Sequence, residues 1–278
     1  MMKSLASQAE RSMTGVPIQL IRKELLVSAS EGGDTLDRLP VYTLTFEIPS
    51  GGEFTGRAQP FEDVRIDMGE VVKMVIPNYK PKSYSMSALR ASEHEFDLTV
   101  KMYPNGRASG HLNRLQIGDT THAFGMRNLT RVRNPGSFFG GIAYGVGITE
   151  ILPVARAELE KGDGSSTKVV VLWAGRTRMD LFWKDQIKEM EERYGKERFE
   201  IVYIFSREEE EVEEERVLYG RINKDVLRDV FETRLLGCEG LTQEDARFLV
   251  IGTKPMMRMT EGLLGDIGYP FPPHALFV

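Results

Sequence analysis

This chain of 278 residues is predicted to be an α+β protein of two domains, an N-terminal antiparallel β-barrel followed by a C-terminal α/β domain with a parallel sheet. Three observations carry that expectation. The first half holds short apolar segments broken by turn residues, at the spacing of an antiparallel barrel or sandwich. The second half alternates strand-like and helix-like stretches, the pattern of a parallel sheet with crossover helices. The length itself suits two domains of about 100–200 residues each. The expected divisions are a flexible N-terminus over 1–15, the barrel over 16–133 and the α/β domain over 134–278. Arg133-Asn134-Pro135-Gly136, a cluster of helix and strand breakers, supplies the junction.

In the first half, Val41–Ile48 is rich in β-branched and aromatic residues and ends at Pro49-Ser50-Gly51-Gly52, a turn composition. Val71–Ile76 reads as a second strand. Phe96–Tyr103 reads as a third, with Phe96, Leu98, Val100 and Met102 alternating with polar neighbours. A helix is expected near Gly110–Leu115, beginning at the Gly106-Arg107-Ala108-Ser109 segment. In the second half, Lys168–Trp173 is almost continuously apolar, as a strand buried on both faces requires. A helix over Met179–Tyr194 carries Leu181, Phe182, Ile187 and Met190 on one stripe. A strand at Phe199–Phe205, a helix over Lys224–Leu236, a strand at Arg247–Ile251 and a helix after Pro255 complete the order.

Composition narrows the function classes. A net charge of -5 argues against nucleic acid, because duplex binding needs a basic face. No apolar run reaches the ~18 residues of a membrane-spanning helix. The start, MMKSLASQAERSM, lacks the apolar core of a secretory signal. Cys238 is the single cysteine, so no disulfide forms within the chain, which fits a reducing compartment such as the cytoplasm, with organelle import left open. The histidines at 94, 111, 122 and 274 have no metal-ligand spacing, and no metal is expected. Seven glutamates fill Glu208–Glu215 around Val212, read as a solvated segment or as a docking patch for a basic partner.

Four short segments carry chemistry. Lys82-Ser83-Tyr84-Ser85 sets a cation beside an aromatic ring and two hydroxyls. Gly106-Arg107-Ala108-Ser109 opens a helix, where backbone N–H groups face an anion and glycine allows its close approach. The plain alternative there is a helix with Ser109 as its N-cap. Tyr144-Gly145-Val146-Gly147-Ile148-Thr149 and Ile251-Gly252-Thr253-Lys254-Pro255-Met256 are glycine turns that join a strand to a helix.

In this order, across Val41–Val278, the four segments resemble the flavin- and nicotinamide-binding motifs of the ferredoxin–NADP reductase superfamily, nearest its cytochrome b5 reductase branch. The resemblance implies an FAD-binding barrel and an NAD(P)-binding α/β domain. It places Tyr84 against the flavin ring and the Ser85 hydroxyl at flavin N5, where a hydride from NAD(P)H arrives. It assigns flavin contacts to Lys82, Tyr84, Ser85, Val100, Lys101, Tyr103, Gly106, Arg107, Ala108 and Ser109, nicotinamide contacts to Gly145, Gly147, Gly252 and Met256, and has Thr149 facing the flavin. Phe277 near the C-terminus stands where relatives shield the ring.

Coenzyme choice turns on a 2′-phosphate. Ser206-Arg207, followed by Arg216 and Tyr219, resembles the NADPH pattern of the plant-type enzymes and points to NADPH over NADH, while the neighbouring glutamates oppose a phosphate. The implied acceptor is a one-electron carrier, a heme or iron–sulfur protein, or a small acceptor. Five positions depart from the family pattern: Lys82 for arginine, Tyr144 for glycine, Val146 for threonine, Glu150 for proline and Ile251 for cysteine. They support an alternative reading, a degenerate member that keeps the fold as a non-catalytic binding or regulatory module.

Overall fold

The computed structural model describes residues 15–30, 38–48, 71–90, 93–127, 137–160, 167–208 and 212–269. The chain divides into two compact units, residues 1–130 and 131–278. The breaker cluster at 133–136 and the C-terminal Phe277 lie outside the described residues.

The first unit is a seven-stranded antiparallel sheet. In chain order its strands are β1 (Val16–Val27), β2 (Val41–Glu47), β3 (Val71–Met74), β4 (Lys82–Ser85), β5 (Ala88–Arg90), β6 (Glu95–Lys101) and β7 (Thr120–Arg127), with one helix, α1 (Arg107–Arg114), between the last two. The spatial order is β4-β3-β7-β1-β2-β6-β5. Ile18 and Leu20 of β1, Leu44 and Phe46 of β2, Val72 and Met74 of β3, and Phe96 and Leu98 of β6 all enter one core. A sheet whose strands share a single core must curl around it. Register shifts in β1, between Leu20 and Arg22 and between Leu25 and Val27, supply bends that such curling needs. Phe46 and Phe96 stack across the β2–β6 pair with ring centroids 5.6 Å apart. At the β5–β6 edge Arg90 donates to both carboxylate oxygens of Asp97, at 3.0 and 2.6 Å, and to Glu95 at 2.9 Å.

The second unit is a five-stranded sheet, parallel throughout, in the order β11-β10-β9-β8-β12. Its strands are β8 (Phe138–Tyr144), β9 (Lys168–Gly175), β10 (Phe199–Phe205), β11 (Val217–Tyr219) and β12 (Ala246–Ile251). Helices α2 (Ile148–Leu159) and α3 (Lys184–Arg198) follow β8 and β9. A helical run of α4 (Lys224–Leu227), a π turn at Arg228–Glu232 and α5 (Thr233–Leu236) precedes β12, and α6 (Lys254–Asp266) follows it. From β8 the chain steps outward to β9, β10 and β11. It then returns to lay β12 on the other side of β8, so the strand order reverses between β8 and β12. Ligands of open α/β sheets sit at the carboxyl ends of the strands at such a reversal.

The helix expected to begin at Gly106–Ser109 runs over Arg107–Arg114 with Gly106 as its N-cap, and Ser109 lies inside it. Two other helical expectations are corrected. The helix expected from Met179 starts at Lys184. Thr177 and Asp180 close a short turn over Arg178–Asp180 with a reciprocal capping box, and Trp183 then takes a left-handed backbone, φ 57°, before the helix begins. Phe182 therefore reaches the core from a connecting segment and packs edge-on to Trp173 at 5.3 Å. The run over 224–236 is interrupted by its π turn.

Replacing Phe46, which is fully buried, by alanine is expected to destabilise the first unit by about 3–5 kcal/mol through lost burial and the cavity left behind. Urea unfolding followed by a probe in each unit checks this, with the transition of the second unit expected to move little.

Candidate functional site

In the first unit the candidate site is built around the start of α1. Gly106 leads into the helix, and a Cβ placed there meets Ser109 Oγ at 2.1 Å and Tyr103 Cβ at 3.0 Å. Ser109 is buried. Its Oγ accepts from the Tyr103 backbone N–H at 3.2 Å and donates to the Tyr103 carbonyl at 3.4 Å, fixing the turn rather than lying open. No side chain caps the helix and no acidic residue lies in its first turn, which leaves the N-terminal N–H groups to an anion. Asn78, with φ 57°, turns the chain so that Tyr79 is half exposed and Arg107 lies 5.0 Å over its ring. Between these groups opens a cleft of about 420 Å³, lined by Ile76, Asn78, Tyr79, Gly106, Arg107 and Arg114 among others. His111 also lines it. Burial first, then the charge of Arg114, lowers the His111 pKa and favours the neutral ring. A cleft with two arginines, a helix start and an aromatic wall fits a phosphate-bearing dinucleotide.

The other residues expected at the flavin are distributed as follows. Lys82 is exposed at the start of β4, and Tyr84 and Ser85 are partly buried at its end. Tyr84 packs against the core, and burial pushes its hydroxyl up to about 12. Val100 points into the core at 4% exposure, Lys101 is partly buried, Tyr103 is exposed and Ala108 packs on the core. Asn78 and Tyr79 were not singled out from the sequence. A Pro77-Asn78 turn ahead of the Lys82 segment was the available signal.

In the second unit the candidate site is the reversal point between β8 and β12. Gly145 has φ 56°, and its carbonyl accepts from Trp173 Nε1–H at 2.8 Å. Gly147 approaches the end of β12 so closely that a Cβ meets the Ile251 carbonyl oxygen at 2.6 Å. Gly252, in turn, faces Tyr144, with a Cβ 2.8 Å from the ring. Thr260 donates to the Met256 carbonyl at 3.0 Å, so the 2.6 Å contact between Tyr144 and Thr260 has the tyrosine as donor. The ring that replaces a glycine of the family pattern thus lies between the two turns and α6. Thr149 is buried and donates to the Val146 carbonyl at 2.8 Å, holding the turn. Met256 is exposed in the first turn of α6.

Farther along the carboxyl edge, Ser206 and Arg207 are exposed at the end of β10. Ser206 Oγ donates to the Gly175 carbonyl at 3.3 Å. Arg216 pairs with Glu191 of α3. The Tyr219 hydroxyl donates to the Val212 carbonyl at 2.8 Å and accepts from the Val212 N–H and from Arg178, each at 2.7 Å. Arg178 was not singled out from the sequence, although the Thr177-x-x-Asp180 capping pattern beside it was legible.

Two oxidoreductase domain families match this chain. Residues 57–127 match the family model for the oxidoreductase FAD-binding domain, and residues 142–262 that for the oxidoreductase NAD-binding domain. An NADH–cytochrome b5 reductase 1 from Arabidopsis thaliana is 30% identical over 190 residues, 68% of this chain and 63% of the relative. The chain spans about three-fifths of the length of this and other curated relatives that it matches. Among solved structures, the cytochrome b5 reductase domain of Ulva prolifera nitrate reductase superposes with a TM-score of 0.67 at 16% identity, covering 95% of this chain and 97% of that one. The CS-b5R domains of human Ncb5or, in the NAD+ form, give 0.65 at 17% identity, covering 94% and 68%. The fold and the two matched families define a scaffold of the oxidoreductase FAD-binding and NAD-binding domain type. The chain belongs to the ferredoxin–NADP reductase superfamily, in its cytochrome b5 reductase-like branch. Among the described residues no helix is long and apolar enough to cross a membrane.

Gly252→Ala is expected to destabilise the second unit by about 1–3 kcal/mol by overpacking against Tyr144. Combining it with Tyr144→Ala is expected to cost less than the sum of the two single changes, as a double-mutant cycle by urea denaturation would show. Tyr84, Tyr203 and Tyr269 are all raised to about 12 by burial, against about 10 when unfolded. The unfolded chain loses these protons first, so stability holds below pH 10 and falls as pH rises toward 12. Tyrosinate absorbance during alkaline titration is expected to show a late-ionising class that shrinks in Tyr84→Phe.

Proposed function

We propose that this chain is an FAD-dependent reductase that takes electrons from NAD(P)H and passes them to a one-electron acceptor. The observation that carries the reading is the pairing of a cationic cleft at the start of α1 with a glycine-lined strand-order reversal in the second unit. Bound FAD supplies the hydride acceptor at N5 and the conversion of a two-electron donation into single-electron release. Arg107, Arg114 and the N–H groups at the start of α1 would hold its phosphates. Lys82 adds a point cation where relatives use an arginine fork. Tyr84 and Ser85 would position the ring and offer a hydroxyl at N5, as catalytic residues. Val100, Lys101, Tyr103, Gly106, Ala108 and Ser109 frame the remainder, with Val100 and Ser109 contributing through backbone and turn geometry.

Gly145, Gly147, Thr149, Gly252 and Met256 would receive the nicotinamide end, where a bare backbone allows close approach and places the reacting atoms within reach. No general acid or nucleophile is required of the protein, whose work is orientation. Ser206, Arg207, Arg216 and Tyr219 are the residues read as a 2′-phosphate site, and an NADPH preference would rest on them; Arg216 and Tyr219 are paired within the unit, with Glu191 and with Val212 and Arg178. The names of the relatives point to a heme protein such as a cytochrome b5 as acceptor, with an iron–sulfur protein or a small acceptor as the other classes. The domain assignment, barrel over 16–133 and α/β domain over 134–278, belongs to the same reading. The matches to both domain families favour the reductase over the non-catalytic module.

Purified protein reconstituted with FAD is expected to show a flavin spectrum that NADH or NADPH bleaches under anaerobic conditions. Ser85→Ala is expected to slow that bleaching by roughly tenfold to a hundredfold, and Arg107→Ala to weaken FAD binding by a similar factor. Protein that takes up no FAD, or a flavin that neither nucleotide reduces, would sink the reading in favour of the binding module.

A further inference from the structure

Resting on the reading of the first unit as an FAD site, we propose that His111 is a further phosphate-binding residue of the cleft and takes up a proton as the ligand's phosphates enter. The hold on the flavin nucleotide is then linked to pH. The glycine-to-serine segment at 106–109 stops short of His111, so the motif does not include it. Geometry brings it in. Arg107, His111 and Arg114 are spaced i, i+4 and i+7 along α1 and share one face of the helix. Ser109 and Leu112 are the buried residues of that helix, and the three basic residues line the cleft.

The ring is anchored at one nitrogen. His111 Nε2 lies 3.3 Å from Oγ1 of Thr121, a buried threonine on β7. The charged groups around it are of one sign. Arg107 and Arg114 face it from its own helix, and Tyr79 shares the cleft from the turn after β3. On β7 its neighbour is the Thr121 hydroxyl, while His122 is exposed on the opposite side of that strand. From β1, Lys23 donates to the carbonyls of Asn113 and Leu115 at 2.6 and 3.2 Å, which occupies acceptors at the helix end. Among the described residues no carboxylate lines the cleft. Without an anion, burial and then Arg114 hold the imidazole below its ordinary value of about 6.5. Phosphates reverse the balance, because they offset the two arginines and bring oxygen acceptors to the ring. A protonated ring donates from both nitrogens, to Thr121 at Nε2 and to a phosphate oxygen at Nδ1. The proton comes from solvent. Since the protonated ring binds the ligand better, affinity rises as pH falls through the pKa of the bound state. It levels off below the pKa of the ligand-free cleft.

The test uses two readouts, neither of them activity. Calorimetric titration of the protein with FAD at about pH 7, in buffers of different ionisation enthalpy, counts the protons taken up. Flavin fluorescence quenching gives the affinity across the pH range. The pyrophosphate of FAD does not titrate in this range, so its own protons do not enter the count. The wild type is expected to take up part of a proton and to gain about threefold to tenfold in affinity from about pH 8 to about pH 6. His111→Gln keeps a hydrogen-bonding group beside Thr121, and is expected to remove the uptake and flatten the profile. Arg114→Gln, at an exposed position, is expected to reduce the uptake because the ring is then more protonated before FAD arrives; it serves where His111→Gln fails to fold. His122→Gln is expected to leave both readouts as in the wild type. FAD binding with no proton uptake, or uptake undiminished in His111→Gln and Arg114→Gln, would overturn the role of His111 and leave the reductase reading intact. Failure to bind FAD at any pH would overturn both.

Discussion

The second unit depends on the contact between two turns that lie more than a hundred residues apart in sequence, as the Tyr144–Thr260 separation of 116 shows. The turn after β8 and the turn after β12 meet because β12 returns to pair beside β8. Gly147 touches the last carbonyl of β12, and Gly252 touches the last ring of β8. Any side chain at either glycine pushes the two strand ends apart. The same absence of side chains leaves backbone open toward the carboxyl edge of the sheet, so the packing requirement and the ligand requirement fall on the same atoms. Trp173 reinforces the arrangement from the neighbouring strand by bonding the Gly145 carbonyl, while its ring packs on Phe182 below.

The first unit uses its glycine differently. Its glycine, Gly106, sits at a helix start, and Ser109 reaches back to Tyr103 to hold the turn closed. The positive end of α1 is then supplemented by Arg107 and Arg114. The second unit matches glutamates around β11 and α3 to arginine or lysine: Glu214 to Arg178, Glu191 to Arg216, Glu215 to Lys196. One unit therefore offers cations to a ligand, and the other neutralises its own. That contrast is local. The net charge of -5 averages over it and gives no sign of a cationic cleft.

Strands buried on both faces were legible because their sequences are continuous apolar runs. Phe199–Phe205 has the bounds read from sequence, and β9 runs two residues past Trp173. β1 was missed for a physical reason. Its buried alternation at Val16, Ile18 and Leu20 gives way after Arg22 to a partly exposed stretch where the register shifts, so no period of two persists across it. The helix start after β9 was misplaced because caps decided it, the Thr177–Asp180 box with Trp183. Glycines of the site were legible as motifs. The partners of the charged residues were not, since which glutamate reaches Arg178 depends on how the segment after β10 folds back, and no spacing rule encodes that.

The departures from the family pattern take on a different meaning once packed. Tyr144, Thr260 and Gly252 form one unit: the ring fills the space that Gly252 leaves, and its hydroxyl donates to a threonine whose own proton is held by the α6 backbone. Val146 offers its carbonyl to Thr149, a bond that a threonine at 146 would not improve. Glu150 is buried in the first turn of α2, where the positive end of the helix favours a carboxylate. Ile251 is buried beside the Gly147 contact. A turn that had merely drifted would show residues without a place in the packing. Here Tyr144, Val146, Glu150 and Ile251 each have one, and Gly147 and Gly252 are the positions at which Ile251 and Tyr144 leave no room for a side chain, while Gly145 has open space and a φ of 56°. Substitution and retention at this turn are two aspects of a single packing solution, and the backbone path along the strand ends is kept open by it.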